Sequence, residues 1–314
     1  MADDFVTPYA NSVFEQPWWL DIVAPGKWGE VFVKEGSEVV GRMPYVIEKG
    51  RIVMPPYTQT LGPWIKPEYR SFQAGNAQLS RQKEIISALI DQLPAHKSFK
   101  MTFDSANEYI LPYRWLGFRY TPQFSYRLCD LSDLDSVYSL FHKTAKKNIR
   151  RASGRTHVVA ETDPNNVIGQ MKKTFSNQKR GLPGGEKNIE RIINGAIEHG
   201  NGKILTAFDD DGNVHASDFL LFDEQICYDV MGGSDPEFRN SGAASLIFWE
   251  AIKSASQTSK AFDFEGSNIE GIENIFRQFG GERVINYAVT KQGFVADCME
   301  LAKPRIKKLL GYKN

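Results

Sequence analysis

Two short stretches of this chain hold residues whose types and spacing suit acid–base and anion chemistry. In Phe262-Asp263-Phe264-Glu265-Gly266-Ser267 the two carboxylates alternate with two aromatic rings. Side chains alternate faces along a strand, so Asp263 and Glu265 are expected to share one cleft while Phe262 and Phe264 pack on the other face. A carboxylate with a raised pKa accepts a proton from an attacking amine, directly or through water. Glu265 is the candidate base, with Asp263 as its helper and structural anchor. The competing expectation is that both are buried structural ions paired with Arg239, Arg277 or a cationic helix. Ser267 is a candidate substrate contact that can equally cap a helix beginning near Ile269.

The second stretch runs from Asp235 to Ile252 and contains Arg239-x-x-Gly242-x-Ala244. It follows an expected strand at 225–230 and opens a helix whose buried surface includes Leu246, Ile247, Trp249, Ala251 and Ile252. Gly242 and Ala244 let the backbone approach a ligand, and the free N–H groups from Ser241 through Ala243 and Ala244 face the positive end of a helix. Arg239 adds a charged donor. The segment reads as a pyrophosphate cradle; the plain alternative is a tight turn capped by Ser241.

Around these stretches lie strands expected at 203–208, 216–222, 261–265 and 283–289, and a helix near 269–279. An earlier cationic segment, His142 to Arg155, places Lys143, Lys147 and Arg150 or Arg151 on one helix side, above an apolar stripe of Leu140, Ala145, Ile149 and Ala152. It is either a solvated face or a patch for a phosphate-bearing substrate, with Lys147 and Arg150 as the contacts. Pro55 to Trp64 is rich in Pro, Gly and aromatic residues; Tyr57, Gln59 and Trp64 are expected to line an acceptor pocket, with packing under the loop as the alternative. Phe14, Trp18 and Trp19 are expected to pin the N-terminal segment to the core, and Gln178 to Gly185 to break a helix.

The 314 residues favour two domains, and 41% hydrophobic content supports two cores. The formal net charge of zero excludes a surface coated in positive potential. No apolar run is long enough for a transmembrane helix, and Met1-Ala-Asp-Asp-Phe-Val lacks signal-peptide character, so a cytoplasmic location is expected. Cys129, Cys227 and Cys298 are read as reduced thiols, and the five histidines as surface or packing residues, with no metal expected. The basic segment Lys303 to Asn314 is expected either to dock on the protein's own body or to touch an anionic membrane surface.

The order of elements in the second half, together with the Arg239-x-x-Gly242-x-Ala244 loop, resembles the GNAT acyltransferase family, in which that loop holds the pyrophosphate of acyl-CoA. The first half repeats the order: a hairpin at 31–47, a helix near 79–93, strands at 99–104 and 119–128, and Leu116-Gly117 where the second half has Phe279-Gly280. It lacks the loop. The expected fold is therefore α/β (α+β), with tandem GNAT-like domains at 1–131 and 132–314, each a mixed, mostly antiparallel sheet flanked by helices. With Phe14-x-x-Pro17-Trp18-Trp19 and Lys146-Lys147-Asn-Ile-Arg150-Arg151, the chain resembles Fem-type peptidyltransferases and their shorter FemAB-like relatives. The resemblance implies an acyl-CoA donor and an amine acceptor on an envelope sugar, lipid or peptide precursor. Its alternatives are an aminoacyl-tRNA donor or a non-catalytic module that binds a glycan or protein.

Overall fold

The computed structural model of the chain describes residues 6–70, 75–177, 181–266 and 269–292. In chain order it holds α1 (Pro17–Val23), β1 (Trp28–Glu35), β2 (Glu38–Glu48), β3 (Arg51–Val53), β4 (Trp64–Ile65), α2 (Pro67–Arg70), α3 (Asn76–Gln92), β5 (Phe99–Phe103), α4 (Leu111–Trp115) and β6 (Arg119–Leu128). There follow α5 (Leu134–Leu140), α6 (Lys143–Ser153), β7 (His157–Glu161), α7 (Asn165–Asn177), α8 (Glu186–Glu198), β8 (Gly202–Phe208), β9 (Val214–Phe222) and β10 (Ile226–Ser234). The last elements are α9 (Ala243–Ala255), β11 (Ala261–Asp263), α10 (Glu270–Phe276) and β12 (Glu282–Lys291). No helix among the described residues is long and apolar enough to cross a membrane.

The described residues form two units. One takes in residues up to 26, 55–60 and 123–286; the other takes in 27–54, 61–122 and the residues from 287 on. This partition differs from a single cut at 131/132, because the N-terminal segment and the 55–60 loop group with the later elements. Strands β6 and β12 each pass from one unit to the other.

In the unit that holds β1 to β5, the strands run β1-β2-β3-β5-β12, with β4 beside β2. All these pairs are antiparallel except β3/β5, which meet at Ile52↔Phe99. Helix α3 buries Gln82, Ile85, Ile86 and Leu89, the spacing of one helical face.

The other unit orders its strands β6-β11-β10-β9-β8-β7, and here only β10/β11 is parallel. A parallel pair needs a crossover, which α9 supplies. Its Leu246, Ile247, Ala251 and Ile252 join Ala145, Ile149 and Ala152 of α6 in one core with Phe262, Phe264 and Phe279. Leu140, expected on the same stripe, is instead 59% exposed. Helix α5 ends at Leu140, the chain turns extended at Phe141, and α6 starts afresh with His142 Nδ1 accepting from the Thr144 N–H at 3.3 Å, so Leu140 falls out of the α6 periodicity.

In each unit, then, a parallel pair is joined by a connection that includes a helix, β3–α3–β5 in one and β10–α9–β11 in the other. The strand antiparallel to the second member comes from the opposite half of the sequence, β12 beside β5 and β6 beside β11. The N-terminal aromatic residues pack as expected. Phe14 and Trp19 are fully buried; Phe14 lies 4.7 Å from the Tyr228 ring, Trp18 stacks on His199 at 3.9 Å, and Trp19 Nε1 donates to Thr58 Oγ1 at 3.0 Å. Truncating a buried aromatic costs about 3–5 kcal/mol. Phe14→Ala is expected to lower unfolding stability by about that amount in urea titration, and a loss under about 1 kcal/mol would show that the segment is not anchored.

Candidate functional site

The parallel pairing of β10 with β11 stops at Tyr228↔Asp263, while β10 runs on beside β9 as far as Ser234. In its pairing with β9 the register of β10 shifts between Asp229 and Met231, leaving Val230 without a partner, a bulge that bends and twists the strand. Strand β11 ends at Asp263, and Glu265 takes a left-handed backbone, φ 50°. For a residue with a Cβ that conformation costs about 1–2 kcal/mol. Where β10 and the chain after β11 part, a cavity of about 440 Å³ opens. Asp218, Asp229 and Glu265 line it, together with Tyr57, Ala244 and apolar side chains of α10.

The expected alternation of Asp263 and Glu265 on one strand face does not hold, because the strand ends between them and the left-handed turn resets the side-chain direction. Asp263 does not line the cavity. It is fully buried, with Oδ2 accepting from Arg127 Nε at 2.9 Å. Its Oδ1 accepts from Ser125 Oγ, from the Glu265 N–H at 2.9 Å and from Gln59 Nε2 at 3.3 Å. The cation beside it is thus Arg127 rather than Arg239 or Arg277; Arg239 is exposed and Arg277 pairs with Glu273 at 3.6 Å. The Glu265 carboxyl is different. Its Oε1 is closed off from solvent and has no hydrogen-bond partner among the described residues. Burial, reinforced by the charge of Asp263, holds its pKa well above the usual carboxylate range.

Two further carboxyls share the cavity. Asp218 is pushed up to about 7 by burial, against a backbone hydrogen bond from Gly233. Asp229 is raised well above its ordinary value by burial first, then by the charges of Asp218 and Glu265, and its Oδ1 has no partner among the described residues. Sequence reading passed over both. The available signal is an Asp inside an otherwise apolar strand, Asp218 before Phe219-Leu220-Leu221 and Asp229 between Tyr228 and Val230.

The loop before α9 is built by side-chain caps. Asp235 forms an ion pair with Lys173 and accepts from the Glu237 N–H at 3.0 Å, and Ser241 Oγ accepts from the Ala243 N–H at 3.1 Å. Gly242 caps α9 with φ 87°, and a Cβ there would lie 2.5 Å from the Asn148 carbonyl oxygen of α6. Both conformation and space therefore exclude a side chain. Arg151 Nε donates to the Ser241 carbonyl at 3.3 Å, and its Nη2 to Asn148 Oδ1 at 2.9 Å. The backbone N–H groups of Gly242 and Ala244 find no acceptor among the described residues.

Of the remaining candidates, Tyr57 lines the cavity and its hydroxyl donates to the Pro183 carbonyl at 2.8 Å. Gln59 is held on Asp263. Trp64 is buried in β4 beside β2 and does not line the cavity. Lys147 and Arg150 are exposed and do not line it either, Arg150 Nε turning back to the Lys146 carbonyl at 3.3 Å. The cationic segment instead reaches the α9 loop through Arg151. Ser267, Cys298, residues 178–180 and the segment 303–314 lie outside the described residues. Cys129 and Cys227 are free thiols. No group of side chains among the described residues is placed to hold a metal ion.

Residues 139–270, which include the α9 loop and Glu265, match the acetyltransferase (GNAT) domain family. Among solved structures the chain is similar to FemX, at 15% identity and a TM-score of 0.64, over 89% of this chain and 92% of that one. It is similar to L-PGS from Bacillus licheniformis, at 12% identity and 0.55, over 94% and 92%. A tandem GNAT protein from the clavulanic acid biosynthesis pathway is similar at 12% identity and 0.52, over 87% and 86%. No curated protein matches. The fold is GNAT/Fem-like and mixed α/β, as expected from the sequence.

Removing one partner of a buried ion pair costs about 3–5 kcal/mol, so Arg127→Met is expected to destabilise the fold by about that amount in urea unfolding, and a neutral result would remove Asp263 as an anchor. Asp218 supplies a pH test. Its folded pKa, about 7, lies above its ordinary 3.8, so between these values the folded state binds a proton that the unfolded chain has lost. Stability must fall as pH rises through that window and level off above it. Asp218→Asn, which cannot ionise, is expected to lose less stability than the parent between about pH 5 and about pH 8; an equal loss would show that Asp218 does not titrate this way.

Proposed function

We propose that this chain is an N-acyltransferase that moves an acyl group from acyl-CoA to a primary amine on a cell-envelope sugar, lipid or peptide precursor. One observation carries the reading: the start of α9 and the carboxyl of Glu265 open on the same cavity, through Ala244 and Glu265. The N-terminus of a helix attracts a phosphate through its N–H groups and dipole, and the N–H groups of Gly242 and Ala244 are available for it. The sequence has such a loop only in its second half, which agrees with one donor site in the tandem.

In this scheme the amine nitrogen attacks the thioester carbonyl carbon and forms the C–N bond. Val230, which the bulge leaves without a register partner on β9, is assigned the donor role, its backbone N–H stabilising the oxygen that becomes negative. Glu265 takes the proton that the nitrogen loses, and its raised pKa makes it a stronger base than an ordinary carboxylate. The C–S bond then breaks, the electron pair leaves with sulfur, and the thiolate takes up the proton that Glu265 releases, directly or through water, to give free CoA and the ionised base. Asp263 holds the backbone of Glu265 and leaves the chemistry to its neighbour.

A second donor, aminoacyl-tRNA, is favoured by one feature, the exposed Lys143, Lys147 and Arg150 along α6. That face would contact a phosphate backbone, and its affinity would fall steeply with salt.

Calorimetric titration of the protein with acetyl-CoA, longer acyl-CoAs and free CoA tests the donor. Saturable binding that Gly242→Trp abolishes is expected; absence of binding to the parent protein overturns the CoA reading. Glu265→Gln is expected to keep CoA affinity and lose about 10²–10⁴-fold in turnover, as removal of a general base does, while full turnover in a folded variant would end its assignment.

A further inference from the structure

The cavity is charged in one sense only. Asp218, Asp229 and Glu265 line it, and none of its described lining residues is a Lys, Arg or His. Asp218 is 7% exposed, and Asp229 Oδ1 and Glu265 Oε1 are shielded from solvent. Neither of these two oxygens has a hydrogen-bond partner among the described residues. Buried carboxyls kept for structure normally find a cation, as Asp263 does with Arg127, or share a proton through a short hydrogen bond. No cation pairs with any of the three cavity carboxyls among the described residues, and Asp218 has the backbone N–H of Gly233. One of the three is occupied by the proposed chemistry as a base, which leaves Asp218 on β9 and Asp229 on β10 with no cation beside them among the described residues. The facing wall, with Phe248, Ile272 and Phe276, suits methylene groups.

We infer that the cavity takes an acceptor with a second ammonium group, an aliphatic diamine or polyamine, whose remote nitrogen is held by Asp218 and Asp229 while its reacting nitrogen lies at Glu265. This rests on the amine-acceptor reading above. The remote ammonium restores the ionised form of the two aspartates, because a nearby cation stabilises the carboxylate that burial disfavours. The apolar wall covers the chain between the two nitrogens, and a hydrogen-bonded charge pair in so shielded a place discriminates strongly against a ligand that lacks one partner.

Calorimetry with the parent protein, in the presence of CoA near neutral pH, compares 1,5-diaminopentane with 1-aminopentane. A charge-assisted hydrogen bond contributes about 1.5–3 kcal/mol, so the diamine is expected to bind about ten- to a hundredfold more tightly. Asp229→Asn and Asp218→Asn, each checked for folding by thermal denaturation, are expected to bring the diamine down to the affinity of the monoamine. Equal binding of the two amines, binding of neither, or a preference that survives in both folded variants overturns the inference. The comparison of the two ligands needs no variant, so misfolding of either leaves it decisive. CoA binding that persists without a diamine preference sinks this inference alone, whereas a diamine preference without CoA binding sinks the CoA-donor reading and keeps the cation site.

Discussion

The buried carboxylate of Asp263 is the interaction on which the site depends. Its two oxygens gather Ser125 and Arg127 from β6, Gln59 from the 55–60 loop and the backbone of Glu265. Three pieces of chain, two of them far from Asp263 in sequence, thus meet on one fully buried group. Such a group holds its place only while every donor is present, since an uncompensated charge in a low-dielectric interior is costly. Its geometry also sets the next step of the chain. With the Glu265 N–H fixed on Asp263, the backbone turns left-handed at Glu265 and the strand cannot continue, so the Glu265 carboxyl enters the cavity instead of following the alternation of β11.

Beside this satisfied carboxylate sit three that have no cation among the described residues, two of them with an unpartnered oxygen. The contrast lies in the neighbours: Asp263 has a guanidinium, a hydroxyl, an amide and a backbone N–H, whereas Asp218 has one backbone N–H, and Asp229 Oδ1 and Glu265 Oε1 have no partner among the described residues. Burial raises the proton affinity of all three, helped at Glu265 by the charge of Asp263 and at Asp229 by the charges of Asp218 and Glu265, and groups so perturbed gather at functional sites. The surrounding core supplies the rigidity to hold them. Phe14 and Trp19 press the N-terminal segment onto the same unit, and α9 and α6 close the other side of the sheet with a continuous apolar layer.

Much of the architecture was legible in the sequence because it rests on local pattern. The strands at 203–208, 216–222 and 283–289, the helix after Gly242 and the hairpin at 31–47 follow from periodicity and turn residues, and Gly242 stands where a side chain is excluded. The reason for that glycine was less visible, since its close neighbour is the carbonyl of Asn148, nearly a hundred positions away in α6. What stayed hidden depends on long-range partners. Nothing near Arg127 in sequence shows that it meets Asp263, and Arg151 looks like its neighbours Lys147 and Arg150 until the loop is seen against it. Strand alternation misplaced Glu265 because the left-handed turn that ends the strand is set by the hydrogen bond of its own N–H to Asp263. Asp218 and Asp229 were missed for a simpler reason: a single acidic residue in an apolar strand suggests burial but does not reveal which cavity it faces.

The swapped strands carry a consequence for how the chain is made. As it leaves the ribosome from its N-terminus, β5 can pair with β3 at once, but its other edge waits for residues 287–291 of β12. The later half of β6 waits likewise until β11 has been synthesised. During that interval the nascent chain carries open strand edges beside buried-type residues such as Phe99, Met101 and Phe103. Open edges of this kind invite pairing with other chains, and contacts between sequence-distant strands form slowly. The topology thus makes the time between emergence of β5 and synthesis of β12 an aggregation-exposed stage, and it ties the solubility of the first half to the arrival of β12.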